Sequence, residues 1–450
     1  MKLRLPNKLI AAILAAATPA LFSTLSTATL GAAAVATLGQ QAMGEDINIT
    51  TNTNWAWNST DHSADTVTIS NNKTLQLNNG SGAQGGASAG NTSDTADCFV
   101  VDGGSTLSVW AWTGTARTAN TTDKVTIASD ITLNNNATLK SEDGSYVFSG
   151  ALTVNGTAQF LSRWNKGFVI QNLIGDSNAV LRLTRGQSDG NNCWLTLDHE
   201  NSFAGKIQME APSDWQDYYL IITNTNALHN AEVNTGTNTK NRFALGVATA
   251  NIRALSGSGT VERAFSSVGN ALTVNVTGTD NGIFSGSLSN VMTLKLGEGA
   301  KQTISGATIN GKVLNESGTL TLNGAMGGNG TIESSNTLLS GMVQTGNTTM
   351  KLSGSIGIAD GARFIALNSE AEGYTYSASN NNGYRYWDNT DAYIIKGNTS
   401  QITADFGALE TRTDDAGIIA GVKAQTAGAK GESMDEDAAA MPVWSPTVRP

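Results

Sequence analysis

Proline is scarce in this chain. It has 450 residues and six prolines, and only Pro212 falls between Glu45 and Met441. A proline removes a ladder hydrogen bond and is confined to sheet edges and bulges. Nearly proline-free sequence therefore suits long β-ladders with few edges. Cysteine is scarcer still. Cys98 and Cys193 are the only two, and no Cys-x-x-Cys or Cys/His spacing of a zinc site occurs. On one regular stack of strands spaced roughly 4.8 Å apart, they would lie several layers apart. A disulfide needs Cα atoms within about 7 Å, so geometry opposes a bond that export would otherwise permit.

Charge is thin as well: Asp, Glu, Lys and Arg make up 14% of the chain, against about a quarter in an average protein. The polar surface must come from Asn, Thr, Ser and the 49 glycines, a composition of exposed sheet faces and tight turns. Helical periodicity is nearly absent after the first residues. No GxxxxGK[ST] loop occurs, and Gly327-Gly328-Asn329-Gly330 lacks the Asp of a calcium-binding nonapeptide. No metal site and no cofactor is expected.

The amino terminus reads as an export signal. Lys2, Arg4 and Lys8 are the only charges before Glu45, and Leu9–Ala17 is a short apolar core. Ala42-Met43-Gly44 offers small residues for cleavage before Glu45, and a site near Ala34 is a second choice. The other reading is an uncleaved anchor, since Leu9–Gly44 is long enough to span a bilayer. Pro19 and the many hydroxyl residues oppose that. Cleavage after residue 44 removes three positive charges and takes the net charge from −10 to −13. Such acidity argues against nucleic acid or anionic lipid as partner. The chain thus divides into a signal (1–44), a β-rich region (45–425) and a tail (426–450). The tail, rich in Ala, Gly and acid and closed by Pro442, Pro446 and Pro450, reads as disordered.

Short alternating strands run through the middle region, as in Thr66–Ile69, Leu152–Val154 and Leu272–Val276. Three echoes recur. A Thr-Leu/Met-x-Leu strand appears at Thr74–Leu77, Thr293–Leu296, Thr319–Leu322 and Thr349–Leu352. A Phe-Ser/Ala-Gly step appears at Phe148–Gly150, Phe203–Gly205 and Phe284–Gly286. Gly257-Ser258-Gly259-Thr260-Val261 is echoed by Gly328-Asn329-Gly330-Thr331-Ile332. A stack of similar coils explains such repetition. It also explains how about 380 residues without a linker share one architecture, when a single globular core stops growing near 250–300. The expected fold is all-β, a parallel β-helix or β-solenoid. Residues 45–135 either join it or form a small N-terminal β cap.

Asn201-Ser202-Phe203-Ala204-Gly205 and Asn281-Gly282-Ile283-Phe284-Ser285-Gly286 resemble the Asn-x-Phe-x-Gly step of autotransporter-associated β-strand repeats, the second with one extra residue. The resemblance covers roughly Lys140–Leu352. It implies a right-handed parallel β-helix displayed outside a Gram-negative cell, at the outer-membrane surface or beyond, with the periplasm as alternative. Autotransporters end in a membrane barrel closing on an aromatic residue. This chain ends Val448-Arg449-Pro450, so that route of self-secretion is not expected.

Catalytic residues are few. The one dense polar cluster is Asp198-His199-Glu200. Strand alternation would put the two carboxylates on one face, with Trp194, and turn His199 away. That spacing could serve glycoside hydrolysis, but any solvated strand shows it, and no catalytic residue is assigned. Aromatics give the better binding candidates. Trp55-Ala56-Trp57 and Trp110-Ala111-Trp112 each place two rings on one face, and exposed rings stack on sugars. Tyr384, Tyr386 and Trp387 belong to a second cluster. The bland alternatives are rings stacked between coils for the first set and a terminal cap for the second. Two functions stand: a non-catalytic structural or adhesive surface protein contacting glycans or neighbouring cells, and a polysaccharide-degrading β-helix enzyme.

Overall fold

A computed structural model describes residues 44–365 except 58–61, 79–91, 94–95, 112–123, 164–165, 187–191, 211–216, 345–347 and 360–362. Beyond these it describes only the strand segments 392–395, 402–404, 409–413, 419–423, 430–433 and 442–445. The chain divides into units 1–45 and 46–450. The signal reading falls outside the described residues, apart from Gly44. No α-helix occurs among the described residues.

From Asp46 to Ile358 the second unit is a parallel β-solenoid, an all-β stack of coils. A full coil contributes up to three short strands, one to each of three faces, and each strand pairs in parallel with its counterpart one coil on. On the first face the inward positions stack as Tyr146, Phe168, Leu195, Leu220, Phe243, Val261, Leu288 and Ile309. The second carries Ile49, Ile69, Val101, Leu133 and Val154. Further along, the same face carries Leu294, Val313, Ile332 and Met350. The third carries Leu75, Leu107, Leu139, Phe160, Leu183 and Met209.

Period-two alternation generates this core. In Thr319–Asn323 the two leucines are fully buried and the three alternating residues, Thr319, Thr321 and Asn323, are half-buried. In-register stacking places like on like, so each coil buries its neighbour's apolar row. Outside, the same register aligns amides: Asn275 Nδ2 donates to Asn251 Oδ1 (3.1 Å), and Asn251 Nδ2 to Asn226 Oδ1 (2.8 Å). The Asn and Thr content thus forms ladders of its own.

Coil length varies. Asn134 bonds to Asp102 32 residues earlier, whereas Asn336 bonds to Thr319 only 17 residues back. The described strands between Asp46 and Leu133 lie in the same ladders as the later coils, so the solenoid takes in these strands. Cys98 and Cys193 occupy one sheet, separated by the strands at 130–133, 146–154 and 167–175, and they form no disulfide. Four strand spacings, roughly 19 Å, forbid a bond between them. Beyond Ile358, Arg363–Ile365 and Ile402–Ala404 still pair in parallel with Met342–Gln344 and Met350–Leu352, but antiparallel pairing also begins. Ala392–Ile395 and Leu409–Thr413 each pair antiparallel with Ile419–Lys423. Most of the tail lies outside the described residues, and within it Lys430–Ser433 pairs antiparallel with Pro442–Ser445.

The echoes mark corners and strands, not one repeated phase. Phe148, Phe203 and Phe284 are all buried in the core, and each is followed by a glycine at a corner. A Cβ on Gly150, Gly205 or Gly286 would collide with the backbone oxygen of Ser129, Ala179 or Gly259 respectively. Yet the first step leaves the first face, the second leaves the second face and the third leaves the third. Gly257 (φ 95°) and Gly328 (φ 88°) likewise supply the left-handed turn of two different corners.

Candidate functional site

The tryptophan candidates do not form one surface. Trp57 is buried, with 5% exposure; its Nε1 donates to Trp110 O at 2.9 Å and its ring stacks 6.2 Å from Tyr146. Trp55 is half-buried and stacked on His62 at 4.6 Å, while Ala56 between them faces solvent. Trp57 therefore faces the core, because the ring caps the aromatic stack that Tyr146 begins. Trp110 lies half-buried on the side opposite Leu107, Val109 and Ala111, as alternation requires. Trp112, Tyr384, Tyr386 and Trp387 lie outside the described residues.

The Asp198-His199-Glu200 cluster sits just past the end of its strand, Cys193–Leu197, so strand alternation does not govern it. Asp198 Oδ1 and His199 Nδ1 are 2.7 Å apart rather than on opposite faces. Trp194 does point away from the main core, but it is covered. With Tyr219 (6.2 Å), Ile221, Ala244 and Ala264 it forms a second buried apolar cluster on the outside of the first face, with Phe265 packed against it. No group of three His, Cys, Asp or Glu side chains among the described residues could hold a metal ion.

A cavity of about 460 Å³ lies instead where the third face turns into the first. Thr184, Arg185, Gln208, Glu210, Asn238 and Asn241 are among its lining residues. Arg185 ends the strand Val180–Arg185, and the alternation that buries Leu181 and Leu183 sends its side chain inward too. It is only 5% exposed, and its Nε and Nη2 make no hydrogen bond. Glu210, the carboxylate on the rim, is already engaged by Arg182, whose Nε lies 3.0 Å from both of its oxygens.

The cavity's opposite wall is held rigidly. Asn241 is fully buried, and its Nδ2 donates to Thr235 O (2.7 Å) and Met209 O (3.2 Å), tying the corner to the coil before it. Tyr218, which opens the strand Tyr218–Ile222, is fully buried. Burial, then the nearby Cys193, pushes its phenol far above the usual range. The Arg185 cation opposes that shift. The arrangement is thus a buried guanidinium in the wall of a cavity that also carries amide and hydroxyl groups. Reading the sequence by strand alternation missed it. Its signal was an arginine in phase with Leu181 and Leu183.

Comparison with protein-family models, curated proteins and solved structures finds no match to this chain.

Proposed function

We propose that this protein is an exported, non-catalytic scaffold of the cell surface, a repetitive β-rod that contacts glycans or neighbouring cells. One observation carries the reading furthest: the uninterrupted parallel stacking from Asp46 to Ile358, which repeats a core without building a cleft between domains. The resemblance to autotransporter-associated repeats and the amino-terminal charge pattern support it. So do ion pairs that tie one coil to another, such as Arg163–Glu142, Lys206–Glu232 and Lys295–Glu316. Protease treatment of intact expressing cells tests it. Loss of the 45–425 region is the expected result, and protection until the outer membrane is opened would make the protein periplasmic and remove the adhesive role.

A second reading, a β-helix enzyme acting on polysaccharide, draws on the Asp198–His199 contact, which could pass a proton. Release of new reducing or unsaturated ends from acidic glycans, lost in Asp198→Asn, would establish it over the scaffold reading.

A further inference from the structure

We infer that the Arg185 cavity is a binding site for a carboxylate carried on a polyhydroxylated molecule, an acidic saccharide. A guanidinium this deeply buried without a hydrogen-bond partner on one edge is costly to leave unpaired. Its Nε and Nη2 form the flat edge that matches a carboxylate bidentately, and neither makes a hydrogen bond. The nearest lining carboxylate, Glu210, does not serve, because its oxygens are held by Arg182.

The charge balance selects among anions. Arg185 is the single cation among the described residues lining the cavity, and Glu210 adds negative potential at its rim. A monoanion is therefore favoured over a phosphate dianion. The rest of the lining selects the carrier. Thr184, Gln208, Thr237 and Asn238 present hydroxyls and amides beside the apolar Met209, a mixture that suits the hydroxyl edge and C–H faces of a sugar ring. About 460 Å³ accommodates one or two sugar rings. The wall formed by Asn241 and the 235–241 corner is fixed by its hydrogen bonds, so binding needs little ordering there. The site stands whether or not the chain reaches the cell surface, because it is read from the folded coil alone.

Titration calorimetry on the full chain tests the site with three probes: galacturonate, galactose and acetate. Galacturonate is expected to bind, more weakly at high salt, with galactose silent and acetate at least tenfold weaker. Arg185→Met should lose at least tenfold in galacturonate affinity, with unchanged circular dichroism. If Arg185→Met does not fold, Thr237→Trp narrows the rim without touching the cation and should produce the same loss. No galacturonate binding by the unaltered chain, or equal binding by the folded variants, would overturn the site. Arg185-dependent binding of acetate as tight as that of galacturonate would overturn the saccharide assignment.

Discussion

The coils between Ser141 and Arg263 and those between Gly282 and Leu352 solve one packing problem in two ways. The earlier set fills its interior with rings. Phe160 meets Phe148 and Phe168 edge-on at centroid distances of 5.9 and 5.2 Å, and Tyr146 stacks on Phe168 at 6.2 Å. The later set is almost wholly aliphatic, with Leu294, Leu296, Val313, Leu320, Leu322 and Ile332 all fully buried. The corners differ in step. In the later coils Lys301–Ser305 reaches Thr308–Ile309 across two residues. In the earlier coils Val180–Arg185 reaches Cys193–Leu197, and Lys206–Glu210 reaches Tyr218–Ile222, across seven each. A short corner brings coil backbones into contact and leaves no room. In the earlier coils the last inward position before the longer step, Arg185, is polar and lines the cavity.

The largest expected difference is in the cores. Phe160→Ala should cost about 3–5 kcal/mol and Leu322→Ala about 2–5, each leaving a cavity in a close-packed stack. Phe160 additionally loses edge-on ring contacts worth about 0.5–1.5 kcal/mol each, so it should be the more damaging of the two. Denaturant midpoints, with hydrogen exchange to locate the opening, measure this. Equal losses would mean the aromatic coils gain nothing beyond buried area.

The corners come next. Gly286→Ala drives a Cβ into Gly259 O, whereas Gly269→Ala meets nothing within 4 Å. The first should cost about 1–3 kcal/mol by overpacking, and the second should stay within about 0.5 kcal/mol. Thermal melts of the two variants decide it. A neutral Gly286→Ala would show that these corners relax freely and that the tight-corner side of the comparison is wrong.

This contrast also explains what was legible in the sequence. Alternation at Thr74–Leu77 or Thr319–Leu322 is a property of single strands, so the all-β, stacked reading followed from it directly. The Phe-x-Gly echoes are a property of single corners, and three different corners use them, which is why their spacing never settled into a coil period. Trp-Ala-Trp at 55–57 looks the same whichever side faces inward, so sugar platform and stacked ring both stayed open; only the Tyr146 ring beside Trp57 decides. Arg185 was invisible because a charged residue at an inward position defies the pattern used to find inward positions. Its partner wall, Asn241, comes from the next corner but one.

A smaller effect should separate the two regions by pH. Tyr146 and Tyr218 are fully buried, and burial holds both phenols far above their usual range. In the unfolded chain they ionise near pH 10. Above that pH the unfolded state binds fewer protons than the folded one, so stability falls as pH rises. The slope should be about 1.4 kcal/mol per tyrosine per pH unit. Both residues belong to the earlier coils. Hydrogen exchange between pH 9 and pH 11 should therefore loosen 141–263 ahead of 282–352, and Tyr218→Phe should reduce the difference. Simultaneous loosening would mean the stack opens as one cooperative body, without regional stability.

The smallest effect tests whether the outer ion pairs matter to that stability at all. Arg182 and Glu210 form a close, forked pair across adjacent coils, but their side chains are 44% and 33% exposed. Water screens such a pair, and exposed ion pairs contribute about 0.2–1 kcal/mol. Arg182→Ala should therefore lower stability by no more than that, and by less still at high salt. It has a second consequence that the first does not predict. Without Arg182, Glu210 is released at the rim of the Arg185 cavity and becomes free to turn toward the buried guanidinium. Galacturonate affinity should then fall in Arg182→Ala while the melting temperature barely moves. In the double variant Arg182→Ala/Glu210→Gln, affinity should return. A fall in stability of several kcal/mol would instead make the outer charge ladder a main support of the earlier coils. The later coils, held by aliphatic stacking and tight corners, would then be the intrinsically stable half of the solenoid.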